Sequence, residues 1–207
     1  MDHVPDSSNA SEIEGSGATN LYSVIDRQSV HGLGLDVPES AKAVIKPWDE
    51  RDDTAAFAES IVDDQLVIHV PFVQSVRVRS ILLKLGRGEV TPTHLRVYTN
   101  HPHIVDFADA DATAPQLNIS LLEGQTGVTE YPFRSAAFAN VNSMSLHFGD
   151  SVGEEVSRVY YIGFKGETKD PQKESTSKLE VPAANAGEAR LVDKAAERNK
   201  NTQGTAR

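Results

Sequence analysis

The central part of the chain alternates apolar and polar residues with a period close to two. Gln65–Phe72 is rich in β-branched and aromatic residues, and Val76–Arg79 alternates before continuing into Ser80–Leu85. In His94–Thr99, the alternate residues Leu95, Val97 and Thr99 share one face. These patterns predict β-strands. Three more predicted strands are Gln116–Leu122, Ser143–Phe148 and Arg158–Lys165.

Turn-forming residues separate these strands. Gly, Pro, Asn and Asp cluster at Gly86–Gly88, Asn100–Pro102, Glu123–Gly127 and Gly149–Asp150. No window of eleven or more residues in this region has an apolar stripe of helical period. The segment 37–64 is the least strand-like, and we expect a short helical turn around Asp53–Glu59. The pattern predicts an all-β fold, either an antiparallel β-sandwich or a jelly roll.

The last predicted strand has apolar residues at consecutive positions. Because side chains alternate along a strand, Tyr160 and Ile162 are expected on one face and Val159 and Tyr161 on the other. A strand that is apolar on both faces is expected inside a sheet rather than at its edge.

Composition limits the folded region to residues 20–167. Residues 1–19 carry four acidic and no basic residues, and no aromatic residue follows Phe164. Segments of this kind bury too little apolar surface to offset their ordering entropy. We therefore expect flexible tails at 1–19 and 168–207, the second being partly helical between Ala183 and Lys200.

Charge and composition exclude several classes of function. The net charge of −10 disfavours binding to nucleic acid, because that affinity rests on cationic contacts with phosphate. The absence of cysteine excludes disulfides, thiol redox chemistry and cysteine-ligated zinc. No apolar run is long enough for a membrane span. Met1–Asn20 lacks the basic residues and the apolar stretch of a secretory signal. We expect a soluble intracellular protein.

Histidines and carboxylates suggest two weak metal hypotheses. His101, His103 and Asp106, with His147, contain the ligand types of a facial iron site, but Pro102 places the first two in a turn. Asp106, Asp109 and Asp111 could form a calcium loop, although the Gly of such loops is missing. Solvated histidines and an exposed acidic loop are the simpler interpretation, so no metal, cofactor or catalytic residue is predicted. Motifs for serine hydrolases and phosphate-binding loops are absent too.

Lys46–Arg51 contains the only Trp of the chain. Pro47 restricts the entry into this segment, and a Trp ring can hold a loop by its large apolar area. Three consecutive charges after Trp48 cannot all be buried at acceptable cost, so at least one of Asp49, Glu50 and Arg51 must face solvent. We predict an anchored loop whose charges bind a partner. A purely structural loop with Arg51 paired to Asp49 or Glu50, and sugar stacking on Trp48, stay open as alternatives.

Eight short sequence words in order resemble the PITH domain family. The most specific pair is Lys-Pro-Trp-Asp-Glu-Arg with Tyr-Tyr-Ile-Gly-x-x-Gly. Together the words cover the whole predicted domain, residues 20–167. The words stand at Asn20–Ser23, Lys46–Arg51, Asp63–Leu66, Val70–Phe72, Glu130–Pro132, Phe138–Val141, Leu146–Phe148 and Arg158–Gly166.

The resemblance implies a jelly-roll β-sandwich similar to galactose-binding domains. It also implies a non-enzymatic module that docks on the regulatory particle of the proteasome, in the cytoplasm and the nucleus. The chain is similar to stand-alone members, since it lacks the Cys-x-x-Cys of their thioredoxin-linked relatives. A galactose-binding-like fold keeps a glycan or small-ligand binding module open as the alternative. Where the family has an Asn-Pro-Ala-Asp-His type tail, this chain reads Ala183–Arg190 and has no histidine, so that tail's role is not expected here.

Overall fold

The computed structural model describes residues 18–134 and 136–168. Within them lie nine strands, one short α-helix and several 3₁₀ turns, and no described helix is long and apolar enough to cross a membrane. The strands are β1 (Thr19–Asn20), β2 (His31–Leu33), β3 (Ala58–Glu59), β4 (Leu66–Leu85), β5 (Pro92–Thr99), β6 (Leu117–Ser120), β7 (Thr129–Pro132), β8 (Val141–Ser151) and β9 (Arg158–Thr168). The helix is α1 (Phe107–Ala112), and the 3₁₀ turns are Tyr22–Val24, Pro38–Val44, Trp48–Glu50, Gly88–Val90 and Ala136–Phe138.

The long strand β4 belongs to both layers of the fold. Its first part pairs with β2 and β8. Strand β8 in turn pairs with β5, and β5 pairs with β6. Its second part pairs with β7 and β9, and β9 also pairs with β1 and β3. The register with β8 shifts between Pro71 and Val76, where β4 changes partners. All pairings are antiparallel, as the sequence predicts.

One hydrophobic core lies between the inner faces of the two layers. It takes alternate residues from each strand, such as Ile68 and Val70 from the first part of β4 and Ile81 and Leu83 from the second. The residues between them face outward, and His69 and Lys84 are two of these. The predicted all-β sandwich is therefore confirmed.

Strand β9 is central, as predicted, because it pairs with β4 on one side and with β1 and β3 on the other. The predicted division of its faces is wrong. Tyr160 is an extra residue in the pairing with β4, so Val159 joins Ile162 in the core while Tyr161 faces outward. A β-bulge of this kind interrupts the simple alternation on which the prediction rested.

Several local predictions need correction. The acidic run around Asp109 is the helix α1 rather than a loop, and Asp106 begins it by accepting a hydrogen bond from the Asp109 backbone N–H (2.7 Å). No helical turn occupies 53–59; the turn instead spans Trp48–Glu50, and β3 follows. Thr19 and Thr168 belong to strands. The rest of the predicted tails, 1–17 and 169–207, lies outside the described residues.

Candidate interaction loop around Trp48

Lys46 holds the loop 46–57 together from the inside. Its side chain is buried, and its ammonium donates to the backbone carbonyls of Asp53 (2.8 Å) and Ala56 (3.0 Å). It also pairs with the Asp53 carboxylate at 3.3 Å. Burying an ammonium is costly unless its donors are satisfied, and here three oxygens accept from it. The cation thus closes a loop that has no ladder of backbone hydrogen bonds.

Trp48 anchors the loop on the outer face of β9. Its ring meets Tyr161 edge to face, with 6.3 Å between centroids. The Arg51 guanidinium lies 4.3 Å from the Trp48 centroid and donates to the Trp48 carbonyl at 2.8 Å. This stacked arrangement leaves Trp48 half-buried and folds Arg51 back onto the protein.

Tyr161 completes the anchor beneath Trp48. Its ring lies over Gly163, where any side chain would collide with it. The tyrosine is fully buried, and burial raises the pKa of its hydroxyl to about 12, which the Asn20 side chain and Arg51 partly oppose. The hydroxyl therefore stays neutral, and Tyr161 serves as an apolar platform.

Ion pairs tie the far side of the loop to β4. Lys84 contacts the Asp52 carboxylate at 2.9 Å and donates to the Asp52 carbonyl at 3.2 Å. The hydrogen bond from Lys84 lowers the pKa of Asp52. The Ala55 backbone N–H and then Lys46 lower the pKa of Asp53. Both carboxylates are exposed and fully ionised near neutral pH.

Asp49 and Glu50 are the two charged residues of the loop that face solvent without an ion-pair partner among the described residues. Both are exposed, and neither forms an ion pair with any described residue. The prediction that Trp48 anchors the segment while at least one following charge faces solvent is confirmed. The alternative pairing of Arg51 with Asp49 or Glu50 is wrong, since Arg51 contacts Trp48 and Asp52 (3.7 Å). The role of Asp49 and Glu50 in partner binding stays a prediction.

Sequence reasoning missed two partners of the loop, Tyr161 and Lys84. Both lie far from Trp48 in the chain, and only strand pairing brings them side by side, as residues opposite each other in β9 and β4. The local signal at Tyr161 was the glycine at position 163, two residues further along the same face of the strand.

The histidines considered as metal ligands do not come together. His147 is buried on β8, where its ring meets Phe107 edge to face, at 5.6 Å between centroids, and lies beside Arg96. His101 contacts the Tyr98 ring edge to face, and His103 is exposed. Asp111 pairs with Arg96 at 3.3 Å. Among residues 18–134 and 136–168, no three His, Cys, Asp or Glu residues are placed to hold a metal ion.

Comparison with known proteins decides the family. The PITH domain model matches residues 11–184, which include the whole β-sandwich and the Trp48 loop. The chain belongs to the PITH domain family. It is 32% identical over 164 residues to PITH domain-containing protein 1 of Danio rerio, covering 79% of this chain and 77% of the relative. It is 33% identical over 150 residues to the Homo sapiens protein of the same name, covering 72% and 70%.

The fold of this PITH domain is similar to that of a sugar-binding protein. A fucolectin from striped bass serum superposes with a TM-score of 0.52 at 11% identity, covering 74% of this chain and 50% of the lectin chain. At this identity the likeness shows the fold alone, which is the galactose-binding-like sandwich expected from the sequence.

Proposed function

We propose that this PITH domain is a non-enzymatic interaction module that docks on the regulatory particle of the proteasome, in the cytoplasm and the nucleus. The observation that carries the proposal is the Trp48 loop, where an aromatic anchor holds two exposed carboxylates, Asp49 and Glu50, that form no ion pair with any described residue. A docking surface gains from such an arrangement, because a loop whose backbone is held in place before binding loses less entropy on association. Membership of the family supports the choice of partner.

The loop supports docking better than sugar binding. A pyranose stacks on an open aromatic face, but the Arg51 guanidinium already covers one face of Trp48. Tyr161 packs against the same ring in a T-shaped contact. The likeness to a lectin concerns the fold, which does not carry function by itself.

The test is co-sedimentation of the full chain with purified proteasome. We expect the double variant Asp49→Ala/Glu50→Ala to lose most of its co-sedimentation at an unchanged melting temperature, because both side chains lie in solvent. Asp109→Ala/Glu123→Ala is the matched control, since it removes the same charge from exposed positions elsewhere. Arg51→Ala is less suitable as a first variant because Arg51 also covers Trp48.

Three results are informative. Loss of co-sedimentation in the loop variant alone supports docking through Asp49 and Glu50. Equal co-sedimentation of the loop variant, the control and the unaltered chain contradicts this docking site. No co-sedimentation of the unaltered chain contradicts the choice of partner.

A further inference from the structure

Four loops meet at one end of the sandwich and form a surface that the Trp48 loop does not include. These loops, 34–37, 60–65, 86–91 and 152–157, are called the four-loop end. The Ser60 backbone N–H donates to the Ser157 carbonyl at 3.0 Å, and the Ile61 N–H donates to the Gly34 carbonyl at 3.1 Å. The Gly153 N–H donates to the Glu89 carbonyl at 2.8 Å, which joins the last two loops.

The four-loop end exposes more large apolar side chains than any other part of the described surface. Seven large apolar residues are exposed in residues 18–134 and 136–168, and four of them belong to these loops. They are Val37, Ile61, Val62 and Val152, and Val62 is 87% exposed. Single exposed apolar residues are ordinary on protein surfaces, but their concentration at one end marks an interaction surface.

The same loops are strongly acidic. They contain six Asp or Glu residues and one Lys or Arg, which is Arg87. None of the six carboxylates forms an ion pair with any described residue. Asp63 and Asp64 accept backbone hydrogen bonds within this end, from Gln65 (3.0 Å) and Ser151 (2.6 Å). The loops thus combine exposed apolar groups with uncompensated negative charge.

We propose that the four-loop end binds a segment of a partner protein in which apolar residues are flanked by Lys or Arg. The apolar residues of the segment would cover Ile61 and Val62, and its cations would meet the carboxylates around them. A second copy of this chain would bring the same acidic loops face to face, and like charges repel. Nucleic acid and anionic lipid surfaces are repelled for the same reason. This proposal does not rest on proteasome docking through Asp49 and Glu50.

The test measures fluorescence anisotropy of three labelled peptides with the full chain. The peptides share a Leu-Val-Ile-Leu core and differ only in flanking pairs of Lys, Ser or Glu. We expect the Lys-flanked peptide to bind about tenfold or more tighter than the Glu-flanked one, with affinity falling as salt is added. Val62→Asp should weaken its binding about tenfold, and Glu154→Lys/Glu155→Lys should do the same.

Matched control variants place the same chemistry elsewhere. Val73→Asp introduces an acid at another exposed valine, and Asp109→Lys/Glu123→Lys reverses two exposed charges outside the four loops. Both controls should bind the Lys-flanked peptide as the unaltered chain does. Thermal melting checks that every variant folds. The melting temperature should not change, because all the substituted positions are exposed.

Four results would overturn the proposal. One is equal binding of the Lys-flanked and Glu-flanked peptides, or none. A second is unchanged binding by Val62→Asp and Glu154→Lys/Glu155→Lys. The third is displacement of the Lys-flanked peptide by a synthetic peptide of residues 169–207, which would make this chain's own segment the occupant. Sedimentation that shows a dimer broken by Val62→Asp would equally assign the surface to a second copy.

Discussion

The two outer faces of the sandwich are covered by segments of opposite chemical character. The loop 46–57 covers the outer face of β9 and the second part of β4 with charged and aromatic contacts, among them Lys46 to Asp53 and Arg51 over Trp48. The segment 100–113 covers the outer face of β5 and β8, where Tyr98, Val105 and Ala110 form a small apolar cluster of their own. The first cover is held largely by ion pairs, one of them made by the buried Lys46, whereas the second rests mainly on buried neutral groups and has one exposed ion pair, Asp111 with Arg96.

A hydrogen-bonded chain lies under the second cover. The Val105 backbone N–H donates to the Ser145 hydroxyl at 3.2 Å, and the Ser145 hydroxyl lies 3.0 Å from Nδ1 of His69. With the hydroxyl oxygen accepting from Val105, its proton is free to go to His69, which favours a neutral imidazole that accepts at Nδ1. Protonation of His69 would reverse that hydrogen bond.

Acid acts on the two covers in different pH ranges. Burial lowers the pKa of His69 to about 4, with His31 adding to the effect. Burial also lowers the pKa of His147 to about 4, with Arg96 lowering it further and Asp111 and Asp150 opposing. Asp52 and Asp53 in the Trp48 loop titrate below their ordinary value of 3.8.

The largest expected effect is a loss of stability as the pH falls from about 6.5 to about 4. The unfolded chain protonates its histidines near pH 6.5, while His69 and His147 resist until about 4, so the unfolded state gains protons first. Each histidine should remove on the order of 2 kcal/mol from the free energy of unfolding by the acidic end of this range. Urea denaturation across the range measures it.

The double variant His69→Gln/His147→Gln provides the control for this titration. It should flatten the dependence of the free energy of unfolding on pH between about 6.5 and 4, because Gln does not titrate. The double variant should still lose stability below about pH 4, because the lowered pKa values of Asp52 and Asp53 place the protonation of these carboxylates in that range. A pH dependence as steep as that of the unaltered chain would refute the assignment to these histidines.

An intermediate effect is expected from removing one aromatic ring of each cover. Trp48→Ala should lower the free energy of unfolding at neutral pH by about 2 kcal/mol, because it removes a half-buried ring between Tyr161 and Arg51. It should leave the pH dependence between about 6.5 and 4 unchanged. Phe107→Ala should flatten that dependence by exposing His147. If both variants have the same pH dependence, the contrast between the covers does not hold.

The smallest effect is expected at the ion pair between Lys84 and Asp52. Asp52 is largely exposed, so a double-mutant cycle with Lys84→Met and Asp52→Asn should give a coupling of about 0.5 kcal/mol or less. The coupling should shrink further in added salt because solvent ions screen exposed charges. A coupling several times larger, or one insensitive to salt, would contradict the view that this ion pair lies in solvent.

Local patterns were enough to predict the fold class and the anchor. The alternation in His94–Thr99 and in Ser80–Leu85 predicts strands that the structure contains, because one face of each must be buried. Pro47 and the charges after Trp48 predict a pinned segment with solvent-facing carboxylates, since three neighbouring charges cannot all be desolvated. Short strands such as β2 and β3 were missed because two or three residues carry no periodic signal.

The sequence alone therefore determined the all-β sandwich, the family and the anchoring role of Trp48, because each can be recognised from short runs of neighbouring residues. Only the tertiary structure decided which residue Trp48 packs on and which loops form the acidic, apolar four-loop end. It also decided that the bulge at Tyr160 places Val159 on the core face of β9. These features join segments such as 34–37 and 152–157, whose meeting depends on strand pairing across the whole chain. Short-range patterns contain no record of that pairing, whose register follows from burying one common core.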